Sequence, residues 1–299
     1  MPDPEETSGA TPDLFATPEP STNGASANGH GPATEEEKLR LGGMALRNGL
    51  LIHGPTSWGA AARAKDGSIQ VASGPKPDFG GNRFAKVPIL RGPLRMAEAF
   101  AVIPIARFNL PSARLPFEDP RVIVAAAATT AVSAAIRGRG RAPSEMSPAR
   151  EAATAVLGLA PALVALGGSD LAYYHAVEHK SIGGYEQGKD AAAVPKEHQR
   201  CGSNLIVPML IFSVAGQVVV NKLVENPGRV TQSLSGVAGL SLSVETFVHA
   251  ERHPDSPLGR AVHFSGDAIQ RLFATREPDE EQMKVGAAAL DAVLAAERG

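Results

Sequence analysis

Residues able to carry chemistry crowd into one window, Tyr173 to Cys201. It holds all three Tyr of the chain, its only Cys and three of its eight His. Its centre reads Tyr174-His175-Ala176-Val177-Glu178-His179-Lys180. On a helix, steps of three and four residues return to the same side, so His175, Glu178 and His179 share a face. Two imidazoles one turn apart can ligate one metal ion, and a carboxylate beside them can take a proton from water held there. The order H-x-x-E-H is an inverted zinc-protease pattern. The bland alternative is a pair of hydrogen-bonded histidines at a helix end.

A second cluster, His198-Gln199-Arg200-Cys201-Gly202, follows nineteen residues after His179. Gly183-Gly184, Gly188 and Pro195 in between suit a turn-rich excursion that folds back. His175, His179, His198 and Cys201 can then form a mixed nitrogen and sulfur site, a donor set that suits a divalent metal and Zn²⁺ above others. Four ligands would close the site and make it structural. Three would leave an open, catalytic position. Glu178 tilts the reading toward catalysis, as general base or as an orienting group. Glu186 is a rival ligand. Lys180 and Arg200 are candidate donors to a substrate anion, or simply cations near a helix end. Tyr174 is a further candidate contact, unless the three Tyr only form an interfacial belt. A thiolate ligand favours a reducing compartment, hence the cytoplasmic side of a membrane.

Elements must bring these residues together. Residues 1–40 are rich in Pro, Ser, Thr, Gly, Asn and acids, and read as a solvated acidic tail with no signal-peptide pattern. Residues 41–92 read as a small β-containing region, with Lys65-Asp66-Gly67 as a hairpin turn and Gly42-Gly43 as another turn. Residues 93–256 carry the apolar stretches. Pro93 to Phe108 is amphipathic, and Val122–Ile136, Ala152–Ser169, Cys201–Asn221 and Val230–Val244 contain fifteen, eighteen, twenty-one and fifteen uncharged residues. A bilayer core of about 30 Å takes about 20 helical residues, so two of these reach or approach a span and two fall short. The competing reading is a soluble helical core. Residues 257–299 end the chain with a helix opened by Pro278-Asp279-Glu280-Glu281, with Met283, Ala287, Leu290 and Leu294 as its docking stripe. The expected fold is therefore mainly α: a helical membrane bundle with a small N-terminal β-hairpin region and a C-terminal amphipathic helix.

Composition narrows the rest. With 29 Lys+Arg against 31 Asp+Glu the formal net charge is −2, which speaks against nucleic-acid binding. One Cys excludes an internal disulfide framework. Glu245 interrupts an apolar run, which marks either function or a stretch that does not span. His249, His253 and His263 read as surface or loop residues, and His53 either reaches the site or faces solvent.

The strings Tyr174 to Lys180, Tyr185-Glu186-Gln187 and His198 to Ser203 resemble the signature of the YqhQ-like family of bacterial membrane proteins. Gly42-Gly43 through Gly54-Pro55, Val87 to Gly92, Leu242 to Glu245 and Thr275 to Pro278 resemble further blocks of it, in order, over about residues 42–296. The family's opening motif has an acid where this chain has Asn48 and does not require His53. The resemblance implies a multi-pass protein of the cell membrane, with the lipid bilayer as partner and a predicted metal-dependent activity. It implies no substrate. Together with the residues it points to a zinc-dependent hydrolase. A non-catalytic metal-binding scaffold, sensor or metal-handling protein is the alternative.

Overall fold

Asp66-Gly67 closes a hairpin in the computed structural model of the protein, which describes residues 38–80, 87, 90–138, 147–167, 169–224 and 227–299. Gly67 takes φ +86°, and the Asp66 carboxylate accepts from the Ser68 amide and hydroxyl at 3.0 and 2.7 Å. The acidic segment before residue 38 lies outside the described residues. Residues 38–40 are docked rather than part of a free tail: Lys38 Nζ donates to the Glu186 carbonyl and the Leu39 amide to the Tyr185 hydroxyl, both at 3.0 Å.

Four strands, β1 (Gly42–Leu46), β2 (Gly49–His53), β3 (Ser57–Arg63) and β4 (Ile69–Pro75), form an antiparallel sheet in chain order. The expected hairpin region is thus a four-stranded meander. Gly42-Gly43 is not a turn but the start of β1, paired with His53 and Ile52. The turn falls instead at Arg47-Asn48. Asn48 Nδ2 donates to the Arg63 and Ser112 carbonyls at 2.7 and 2.9 Å, and its Oδ1 accepts from the Arg114 amide at 2.8 Å. A carboxylate could not supply the two donated bonds, so Asn48 has a structural reason here.

Successive strand side chains face opposite ways. Leu50, Ile52 and Ala61 enter one buried cluster, and Leu51, Ala60 and Ala62 enter another with Trp58. The second face packs on α1 (Arg91–Asn109) through Val102 and Ala106. The first packs on α5 (Leu171–Gln187) and α9 (Glu280–Arg298) through Tyr174, Val177, Val285, Ala289 and Val293. The Ala-rich β3 strand lets helices come close on both sides. At Gly59 an added Cβ would lie 2.4 Å from the Val293 nitrogen of α9. On α9 the buried ridge is Val285, Ala289 and Val293, with Gly286 beside it. The expected stripe is displaced: Ala287 is exposed and Met283, Leu290 and Leu294 only flank the core. Small and β-branched side chains fit the close contact with β3, where the longer ones do not.

The remaining helices are α2 (Pro120–Arg137), α3 (Pro148–Leu157), α4 (Ala160–Gly167), α6 (Ile206–Leu223), α7 (Arg229–Arg252) and α8 (Pro257–Ile269). Helices α6 and α7 pack side by side through small residues; an added Cβ at Gly216 would meet Ser235 and one at Gly239 the Phe212 backbone. Glu245, on α7, is explained by Arg91 of α1: Nε–Oε1 is 3.0 Å and Nη2–Oε2 is 2.5 Å, a two-pronged pair that ties the helices together. Two helical stretches are long and apolar enough to cross a membrane, Pro148–Gly167 and Gly202–Leu223.

Candidate metal centre

The helical face expected for His175, Glu178 and His179 is present on α5. Gly188 ends the helix in the left-handed region at φ +63°, and the chain turns back. Gly183 and Gly184 lie inside α5 and not in the excursion itself. They let it close, because added Cβ atoms there would meet Val194 Cγ1 and Ala191 Cα, both at 2.9 Å. A mid-helix glycine costs about 1 kcal/mol against alanine, so close packing is what these two positions supply.

Backbone carbonyls fix both histidines by their Nδ1 atoms, one from the returning segment and one from the turn after α8. His179 Nδ1 lies 2.6 Å from the Lys196 carbonyl oxygen, and His175 Nδ1 lies 2.9 Å from that of Ala274. A carbonyl only accepts, so both Nδ1 atoms carry the proton and both Nε2 atoms keep a lone pair. Ala274 ends a π-helical turn, Gln270–Ala274, directly after α8. Such turns recur at functional sites. His179 Nε2 is buried, and among the described residues only the Cys201 thiol stands beside it. An imidazole held by one nitrogen to a carbonyl, with the other bare, is the arrangement metal ligands adopt.

Cys201 supplies the third group. One ligand atom each from His175, His179 and Cys201 lie within 4.8 Å of one another, and Cys201 Sγ is 3.3 Å from His175 Nε2. The His175 and His179 ring centroids are 4.4 Å apart. Cys201 is buried and caps the 3₁₀ turn Gly202–Leu205 that leads into α6, its sulfur accepting from the Ser203 amide at 3.4 Å. Asn204, buried against Gly266, holds the segment by donating to the Gln199 and Cys201 carbonyls at 2.6 and 3.3 Å. This group can hold a metal ion. Burial pushes the His179 pKa down, which keeps the ring neutral as ligation requires.

His198, which the spacing groups with the ligands, stands beside them. Its ring centroid is 5.6 Å from that of His179. Its Nδ1 accepts from the Arg200 amide at 3.3 Å, and its Nε2 lies 3.3 Å from Glu186 Oε2, so both nitrogens are engaged. Gln270 fixes its backbone, accepting from the His198 amide at 2.8 Å and donating to its carbonyl at 3.2 Å. Glu186 does not join the ligands; it pairs with Arg200 and His198. Lys180 is turned away, donating to the Ala192 and Val194 carbonyls at 3.2 and 2.8 Å and pairing with Glu277 at 2.7 Å. It clamps the excursion to the chain after α8. Tyr174, a quarter turn or so round α5 from His175, lies in the core with Val177 and Val285.

Glu178 adjoins the centre, with Oε2 3.9 Å from His175 Nε2. Burial raises its pKa, and His175 and His198 oppose that rise. Gly43 of β1 packs on it: a Cβ there would lie 2.6 Å from Glu178 Cγ. The carboxylate faces a cavity of about 420 Å³ that His175, His198, Arg200 and Cys201 also line. The lining also includes residues that spacing along the chain does not connect with the window, among them Arg40, His53, Lys76 and Arg95.

His53 therefore reaches the cavity. Its pKa is lowered to about 4, chiefly by burial and then by the Lys76 cation. In the unfolded chain it binds a proton near pH 6.5, so between these values the unfolded state holds more protons and stability falls as pH falls. We expect acidification from pH 7 to pH 4 to cost wild type up to about 3 kcal/mol more than His53→Gln, since each pKa unit is about 1.4 kcal/mol. Denaturant melts of both proteins across that range check this; parallel losses would contradict it.

Comparison with known proteins gives one result. No curated protein and no solved structure matches the chain. Residues 170–296, which contain the three-ligand group, Glu178 and the segments that orient them, match the family model described as Protein of unknown function (DUF1385).

Proposed function

We propose that this is a multi-pass protein of the cell membrane carrying a zinc-dependent hydrolase centre on His175, His179 and Cys201. The observation that carries the metal is the buried His179 Nε2, aimed into a group with a second carbonyl-held imidazole, His175, and the Cys201 thiol. Two nitrogens and one sulfur suit zinc better than the oxygen-seeking divalent ions. Three ligands support the open site expected of a catalytic centre over a closed scaffold or sensor site, since His198 has both ring nitrogens engaged.

A zinc ion held there supplies Lewis acidity toward a carbonyl or phosphoryl oxygen and acidifies water. The chain's own groups do the remainder. His175 and His179 are oriented by the Ala274 and Lys196 carbonyls. Glu178 Oε2, beside His175 Nε2, takes the proton of the attacking water and later returns it to the leaving group. Its burial, with Gly43 against its stem, keeps the carboxylate in place and limits bulk water.

Support for the membrane comes from the two apolar helical stretches, only 17% buried in each case. A core helix of that hydropathy would be covered. Large apolar side chains on other helices are also bare, such as Val124 on α2 and Leu234 on α7, 67% and 65% exposed. The stretch Gly202–Leu223 starts right after Cys201; in our reading it is a span with the centre at its end, on the cytoplasmic side that a thiol ligand favours. The test is turnover of a panel of carboxylic and phosphoric esters in mixed micelles, by protein stripped with a chelator and then reloaded. Turnover that stops on stripping and returns with zinc is expected; turnover indifferent to stripping would contradict the proposal.

A further inference from the structure

Strand β1 is one edge of the sheet, and among the described residues no strand pairs with its outer side. Which of its backbone groups face outward follows from the register. Arg47 and Asn48 form a two-residue turn, so Leu46 and Gly49 are a hydrogen-bonded pair, and bonded pairs alternate along an antiparallel ladder. Gly42 and Met44 therefore bond to β2, while Gly43 and Ala45 turn their N–H and C=O groups to the open edge. The next ladder agrees. The Arg63 amide donates to the Asn48 carbonyl and the Gly54 amide to the Ser57 carbonyl, so even-numbered residues there serve β3 and odd-numbered ones serve β1. Ala45 packs toward Val122 and Leu171. Gly43 is only partly buried and lines the cavity of about 420 Å³ together with His175, Glu178 and Cys201. Among the described residues no hydrogen bond reaches its outward amide or carbonyl. The strand reads Gly-Gly-Met-Ala-Leu, with neither charge nor proline, two devices that keep an edge strand from pairing. Glycine within a strand also marks a place where another backbone approaches closely. Gly43 sets this edge against the stem of Glu178, whose Cγ an added Cβ would meet at 2.6 Å.

We propose that the cavity takes a peptide in extended form, which adds to the sheet at β1 by exchanging backbone hydrogen bonds with the open amide and carbonyl of Gly43. This rests on the hydrolase reading and names its substrate class, a peptide amide. An outward N–H and C=O on one strand residue complement the same two groups of another extended chain. The volume falls within the range of small-ligand sites, about 300–1,000 Å³, and suits a short length of chain. Leu41, Met44, Leu51, Met96, Phe100 and Phe247 share the lining, so apolar side chains on the peptide are favoured. In the reaction the water oxygen bonds to the peptide carbonyl carbon and the carbon–nitrogen bond breaks. Both water protons end on the leaving nitrogen, the first by way of Glu178, and the products are a carboxylate and an ammonium group.

The test is binding to metal-stripped full-length protein in neutral detergent. The parent probe is a capped hexapeptide alternating leucine and serine. It is compared with one form N-methylated at every leucine and another at every serine. In an extended chain successive amides point to opposite edges, so one methylated form loses the amide that meets Gly43 and the other keeps it. We expect the first to bind about 10-fold more weakly than the parent or worse, the scale of a lost backbone hydrogen bond, and the second to stay within about 3-fold. Hydrogen exchange at the Gly43 amide, read by NMR, should be fast in the free protein and slow about 10-fold or more with the parent bound. Zinc-loaded protein should cleave the parent and free an amine. Equal affinity of the two methylated forms, no binding of the parent at about 1 mM, or a Gly43 amide already protected in the free protein would overturn the proposal. So would bound parent left uncut by zinc-loaded protein that hydrolyses esters. Because binding and exchange are read without metal, and zinc uptake is measured separately on the same preparations, failure of this inference is distinguishable from failure of the metal centre.

Discussion

Replacing His179 with alanine is expected to abolish stoichiometric zinc uptake, with affinity lowered by more than about 100-fold. Removing a group that merely orients a ligand costs about 10- to 100-fold, and loss of the ligand itself exceeds that. His179 is the most exacting choice. Its Nδ1 is held by the Lys196 carbonyl, and among the described residues its buried Nε2 has only the Cys201 thiol beside it, so that nitrogen is free to serve as a ligand. His175→Ala should behave alike. His198→Ala should retain one equivalent of zinc, because that ring is engaged by Arg200 and Glu186. Competition titration against a chromophoric chelator measures all three. Uptake lost equally in His198→Ala would restore a four-ligand site. Uptake preserved in His179→Ala would remove the centre altogether.

Glu178→Gln should separate binding from chemistry. The amide keeps the shape of the carboxylate and cannot accept a proton at neutral pH. Turnover of a responsive ester should fall about 100- to 10,000-fold, the usual contribution of a positioned general base. Zinc content should stay at one equivalent. Stability should hold or rise, because a buried neutral amide is less costly than the buried carboxylate whose pKa burial raises. A fall confined to KM would mean that Glu178 binds substrate without moving a proton. A fall in zinc content would make it a ligand.

Much of the centre was legible because it depends on short-range geometry. The steps from His175 to Glu178 and His179 need only a helix, and α5 provides one. Cys201 stood out as the single thiol of the chain. The Asp66-Gly67 hairpin needed only a turn that tolerates positive φ. What was not legible depends on surroundings that spacing does not encode. His198 has ligand chemistry, yet Glu186 and the Arg200 amide take its two nitrogens. Lys180 has the charge to meet a substrate and spends it on the carbonyls of Ala192 and Val194. Tyr174 lies one residue from His175 and therefore on another side of the helix, in the core. The orienting carbonyls of Lys196 and Ala274 belong to backbone, which carries no residue-type signal. Arg40, His53 and Lys76 reach the cavity only because the sheet folds back over α5. The apolar lengths alone did not fix the helix bounds: α7 runs past Glu245 to Arg252, and Arg91 of α1 pairs with that acid.

X-ray absorption at the zinc edge of the loaded protein tests the centre most directly. The account predicts one sulfur scatterer at about 2.3 Å and two imidazole nitrogens at about 2.0–2.1 Å, with the sulfur shell gone in Cys201→Ser. A spectrum without sulfur, or one with a third imidazole contributed by His198, would contradict it.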